Sequence, residues 1–246
     1  LPLVRPLLDN EFQSWMPSKS TTLPDMKPHK NGHRPQWEGE DRVPESLAEA
    51  IRSFVYACAV RKLRGQGNKH ASMLIHVTRF TSVQNEVYNQ VANYVRDIKG
   101  RYTRGIGLAA LELFMREEYE ATFRPGMRGI RDGLVDGETL DDFSWREVCD
   151  VLPDVLLDIR VRQINGTAKD ALDYAENDAS GLKVIAIGGD KLARGLTLEG
   201  LCTSYFLRTA RMYDTLMQMG RWFGYRDGYI DVCRLYTSEE MVDWFG

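Results

Sequence analysis

No apolar run in this sequence approaches the length of a membrane span, and no signal peptide opens it. A spanning or exported protein is therefore not expected. Cysteine is sparse: Cys58, Cys149, Cys202 and Cys233 lie far apart with no Cys-x-x-Cys pair. That spacing argues against a zinc site and against a disulfide framework. It implies buried thiols in a reducing compartment, and hence a cytoplasmic protein. Charge of one sign is also missing, since the formal net charge is only -3. Any contact with nucleic acid must come from local patches rather than a global field. No internal repeat occurs, and no Gly-x-x-x-x-Gly-Lys-Ser/Thr phosphate loop stands anywhere in the chain.

What is present is an ordinary globular composition, 43% hydrophobic and 27% charged over 246 residues. That length gives one large domain or one and a half, with a sizeable core. The chain begins at Leu1 and stops at Phe245-Gly246, which reads as a piece excised from a longer protein. Residues 1–45 read as an extended linker or wrapping arm, rich in Pro, Lys, His and Gly. His29 and His33 lack Cys, Asp or Glu at ligand spacing, so no metal site is expected there.

From residue 46 the pattern alternates. Ser46 to Glu49 reads as a capping box before a helix through Leu47, Ile51, Phe54 and Cys58. Met73 to Val77 is a buried strand holding a core histidine, His76. Thr81 to Gln84 then opens a capped helix with Val83, Val87, Val91 and Val95 on one face. Thr78, Arg79, Thr81 and Gln84 fall where a strand ends and a helix begins, the end of an α/β sheet that binds ligands. Residues 99–143 interrupt the alternation as a helical insertion. An amphipathic helix leads there into a glycine-rich loop carrying Arg124, Arg128 and Arg131, read as solvated surface with nearby acids. Ser144 to Glu147 is a third capping box, starting a helix that Pro153 closes. A half-solvated strand follows through Leu157, Ile159 and Val161, then a helix over Thr167 to Asn177. Strands at Lys183 to Ile187 and Ile230 to Tyr236 complete the series. Strands alternating with helices predict an α/β fold, a mostly parallel sheet flanked by helices.

The stretch Lys183 to Arg226 concentrates the chemistry. An apolar strand breaks at Gly188-Gly189, and Asp190, Arg194 and Gly195 follow. A second apolar run, Tyr205 to Leu207, precedes a helix-period segment that carries Gln218 and delivers Arg221 and Arg226. Arginine suits phosphoryl transfer because it stays charged and its planar fork bonds oxygens in pairs. This order resembles motifs five and six of the second RecA-like lobe of superfamily-two helicases and translocases. Gly189-Asp190-x-x-x-Arg194-Gly195 matches the first, and Gly220-Arg221 through Arg226 the second. Thr197 stands where motif five ends in Asp, and two extra residues separate the arginines. The wording GGDKLARGLTLEGL, MYDTLMQMGRWFGYR and MLIHVTRFTSVQ is similar to the Z1 domain, an endonuclease-named domain of bacterial helicase-like proteins of restriction or defence type.

The resemblance covers residues 46–246 and implies a RecA-like helicase C-terminal lobe of the P-loop NTPase class. It implies Arg221 and Arg226 as arginine fingers with Gln218 beside them. Gly189, Asp190, Arg194 and Gly195 would serve the nucleotide, and Thr78, Arg79, Thr81 and Gln84 a DNA backbone. ATP and Mg2+ would be held mainly by an upstream RecA-like lobe of the same parent, so this chain alone would be inactive. Two other readings stand beside it. One is a metal-dependent nuclease built on Asp154 and Asp158, with Arg160 where the common nuclease pattern has lysine. The other is a degenerate docking module. Asp214, Asp227 and Asp231 are the acids that would pair with Arg221 or Arg226 if those arginines merely fixed a turn.

Overall fold

The computed structural model of the chain describes residues 3–17, 30–133, 140–164, 175–189, 198–207 and 228–243. Within them six strands form one sheet: β1 (Val4–Leu7), β2 (Ala71–His76), β3 (Ile159–Ile164), β4 (Lys183–Gly188), β5 (Leu201–Phe206) and β6 (Arg234–Ser238). The spatial order is β1-β6-β5-β2-β4-β3, and every neighbouring pair is parallel. The expected α/β class with a parallel, helix-flanked sheet is what the chain forms. β2, β4 and β5 are buried along their whole length, as continuous apolar runs covered on both faces must be. β3, at one edge, alternates buried ends with exposed Arg160 and Arg162. Its start lies later than the sequence pattern suggests, because Leu157 still belongs to the preceding helix and is 67% exposed.

Five helices of eight or more residues are described: α1 (Glu45–Arg61), α2 (Thr81–Arg104), α3 (Leu108–Glu118), α4 (Arg124–Arg131) and α5 (Trp145–Asp158). Met73 and Ile75 of β2, Ile185 and Ile187 of β4, and Tyr205 and Tyr236 face the main core with the buried residues of all five helices. Leu74, Ala186, Leu201 and Phe206 form a smaller core with Leu198 and Met241. α1 is buried almost all round, the mark of a central helix rather than a surface one.

Several local expectations change. α1 begins at Glu45 behind Pro44, so Ser46 does not cap it. The Ser46 hydroxyl instead donates to the Glu11 carbonyl (3.0 Å) and shares a hydrogen bond with the Tyr205 hydroxyl (2.9 Å). The region read as an arm supplies β1, which lies beside β6, and a fully buried Trp15 whose indole donates to Gln90 at 2.6 Å. Phe80 occupies the N-cap of α2 and Thr81 makes no capping bond. Ser144 and Glu147 do form a capping box, but α5 then runs on through Pro153 to Asp158. Burial of Val148, Leu152, Val155 and Leu156 along one face offsets the hydrogen bond that proline removes.

In the insertion, the glycine-rich loop is helical: a π-helical turn at Tyr119–Phe123 continues α3 into α4. Arg124, Arg128 and Arg131 recur at helical spacing and converge on Asp142, at 3.1, 2.6 and 3.5 Å. Burial alone would raise the Asp142 carboxyl, but Arg124 and Arg128 outweigh it and hold it below its ordinary range. These charges therefore clamp the insertion internally.

Candidate functional site

The connections between strands make one edge of this sheet special. The chain leaves β2 toward β3, returns to β4 at β2's flank, and then crosses to β5 on β2's other side. Such a reversal opens a crevice outside the carboxyl ends of the strands. Three segments meet there: Val77 to Phe80 after β2, Gly189 after β4, and Leu207 after β5. The Leu207 amide donates to the His76 carbonyl at 3.3 Å, which ties the ends of β2 and β5 together.

Gly189 is held against the β2 turn so closely that a Cβ would sit 2.7 Å from Gln84 Nε2. It would also lie 3.2 Å from the Thr78 carbonyl and 3.3 Å from Arg79 Cα. A side chain there would have to displace the Gln84 amide and press on the turn's backbone, a crowding that glycine avoids. Gln84 Nε2 donates to the Thr78 carbonyl (3.1 Å), and Thr78 Oγ1 accepts from the Phe80 amide (3.1 Å). Both side chains are buried. Thr78 and Gln84 thus build the turn, while Arg79 and Thr81 are exposed beside it. The Arg79 guanidinium lies 5.0 Å from the Phe80 ring centre, a cation presented at the sheet's edge. Phe80 was not singled out by sequence reasoning. Its role as N-cap and amide donor carries no signature, because it acts through its backbone.

Of the predicted site residues, the structure therefore brings Thr78, Arg79, Thr81, Gln84 and Gly189 to one edge. Asp190, Arg194, Gly195, Gln218, Arg221 and Arg226 lie outside the described residues, as do Asp214 and Asp227. Asp231 is described, and both its oxygens accept from Arg64 at 2.7 Å, with Arg131 Nε at 3.6 Å. That fully buried carboxylate already has its arginines.

The nuclease candidates sit elsewhere. Asp154 is exposed and pairs with Lys62 at 2.8 Å. Asp158 borders a cavity of about 140 Å³ with Arg160, Asn177 and Lys183, at the starts of β3 and β4 and thus at the opposite edge. Among the described residues no three His, Cys, Asp or Glu side chains cluster to hold a metal. His33 Nε2 bonds the Trp15 carbonyl at 2.7 Å, and His29 lies outside the described residues. All four cysteines are free. Burial pushes the Cys58 thiol well up, and burial with Glu112 nearby pushes Cys149 up to about 11. Neither is a thiolate nucleophile at neutral pH. No described helix is long and apolar enough to cross a membrane.

Comparison with known proteins agrees with the wording of the strand and turn segments. A family model described as the Z1 domain matches residues 46–246. No curated protein and no solved structure was found to match. With that match spanning most of its length, the chain belongs to the Z1 domain family.

Proposed function

We propose that this chain is the second RecA-like lobe of a nucleic-acid-dependent ATPase or translocase of bacterial restriction or defence type. The observation that carries the reading is the convergence at the carboxyl edge. Gly189, the residue before the Asp190–Gly195 motif in sequence, packs against the Thr78–Gln84 turn that carries exposed Arg79. ATP with Mg2+ would be bound mainly by a phosphate-loop lobe of the parent protein, since this sequence holds no such loop. In this reading Arg221 and Arg226 neutralise charge developing on the γ-phosphate, with Gln218 ordering the reacting groups. Asp190 and Arg194 couple that site to DNA, whose backbone Arg79 and Thr81 contact. Thr78 and Gln84 act through the turn they hold, as positioning residues. The nuclease reading is weaker, because Asp154 is paired with Lys62 and Asp158 faces the other edge.

The test is ATP turnover by the longer parent protein, with and without DNA, for wild type, Arg221→Ala and Arg226→Ala. Loss of an arginine finger lowers turnover by about three to five decades while the fold persists. DNA-stimulated turnover unchanged in both variants would remove this lobe from the ATP site.

A further inference from the structure

The opposite, amino edge of the sheet holds a larger cavity. Between the starts of β2 and β5 lies a space of about 460 Å³, bordered by Arg61, Gln66, Lys69, His70, Glu199 and Tyr229. That volume lies within the range of small-molecule sites, about 300–1,000 Å³. Gly200 closes one wall: its φ is +64°, and a Cβ there would fall 1.9 Å from the His70 carbonyl oxygen.

Arg61 is the unusual member. It is the last residue of α1 and only 4% exposed. Nε donates to Gln66 Oε1 at 2.9 Å, and Nη1 donates to the His70 carbonyl at 2.7 Å and reaches Cys202 Sγ at 3.5 Å. The guanidinium also lies 4.1 Å from the Tyr229 ring centre. Those contacts fix its plane, yet no described carboxylate pairs with it and no described residue accepts from Nη2. A buried charge left without a counter-ion is costly. Arg52 has Glu118 and Arg64 has Asp231, while buried Arg234 gives its Nη1 and Nη2 to the backbone carbonyls of Asp231, Cys233 and Phe123. Lys69, exposed at the mouth, adds a second cation. Glu199, which also borders the cavity, lies 3.6 Å from His70 Nε2, with Asp178 at 3.8 Å from the same nitrogen. His70 Nδ1 accepts from the Leu182 amide at 2.9 Å, so the ring directs Nε2–H at those acids.

We propose that this cavity binds a small phosphomonoester, its phosphate taken by the open Nη2 edge of Arg61 and by Lys69. A rigid arginine fork with a lysine point charge is a pairing suited to a phosphate dianion. The volume leaves space for an attached sugar or nucleoside. Adenosine 5′-monophosphate serves as the probe, with adenosine as the control, titrated calorimetrically into the chain. AMP binds and adenosine does not. Lys69→Glu, at an exposed position, keeps the fold and weakens AMP at least about tenfold, while Glu199→Gln tightens it. An oligonucleotide that competes only when 5′-phosphorylated would identify the source as a strand end and uphold the phosphate site. Absence of AMP binding, equal binding of adenosine, or AMP binding unchanged by Lys69→Glu would overturn it. AMP binding lost in Arg221→Ala but kept in Lys69→Glu would belong to the carboxyl edge and would also overturn it.

Discussion

Gly189 shows how much a single hydrogen in place of a methyl group can decide. The Gly188-Gly189 break is legible in the sequence as the end of a strand. The crowding at Gly189 is not, because it comes from Gln84 and Thr78, more than a hundred positions away in the chain. Gly189→Ala forces its Cβ into Gln84 Nε2 and the Thr78 carbonyl, and overpacking of this kind costs about 1–3 kcal/mol. Gln84→Ala in the same chain gives the methyl room, so the double variant is less destabilised than the sum of the singles. Chemical denaturation of the four proteins reads this coupling. Strict additivity would mean that Gly189 does not rest on that turn. Thr78 and Gln84 were legible as polar residues at a strand end. Their inward orientation was not, because a buried amide looks like an exposed one until its partner carbonyl is known.

At the scale of elements, periodicity located β2, β4, α1, α2, α3 and α5, while side-chain signals misled at some ends. The helix read over 167–177 lies largely outside the described residues, and Ile230–Val232 form a short 3-10 helix rather than strand. The capping box at Ser144 holds: the Ser144 amide donates to Glu147 at 2.8 Å and the Glu147 amide donates to the Ser144 hydroxyl at 3.5 Å. At Ser46 the same spelling fails, since Glu11 and Tyr205 compete for the hydroxyl and Arg5 for Glu49. Pro153 misled in the opposite sense, because an apolar face outweighed one missing hydrogen bond. The glycines between Arg124 and Arg131 suggested a loop, yet the arginines' shared carboxylate, Asp142, favours a helix.

The contact between β1, β6 and α1 carries a prediction in pH. Burial raises the Glu49 carboxyl above its ordinary value of 4.5, against the opposing pull of Arg5. A raised acid keeps its proton in the folded state at pH values where the unfolded chain has lost it. This contribution to stability therefore falls as pH rises from 4.5 through the raised value, and the native state bears the cost at neutral pH. Glu49→Gln removes that dependence. Thermal melts from pH 4.5 into the neutral range should show a flatter slope for the variant and no loss of stability at pH 7. An unchanged slope with lower neutral stability would show that the ion pair with Arg5, at 3.4 Å, dominates instead.

On the scale of the whole molecule, the parallel sheet separates two kinds of chemistry. Its carboxyl edge gathers a glycine, a buried turn and an exposed arginine from segments that family wording had already marked. Its amino edge holds a cavity with a buried arginine, Arg61, that has no carboxylate partner among the described residues and that no motif announced. The difference has a physical basis. A turn that hugs a backbone leaves glycines and short polar runs in the sequence. A pocket assembled from the end of α1, the start of β2 and the approach to β6 leaves only scattered residues of common types.

Amide hydrogen exchange in the parent protein, with a non-hydrolysable ATP analogue and DNA added separately and together, tests the central assignment most directly. Slowed exchange is expected over residues 77–84 and in the segment that follows Gly189, with further protection when both ligands are present. Protection confined to the amino edge, or none at either edge, would contradict it.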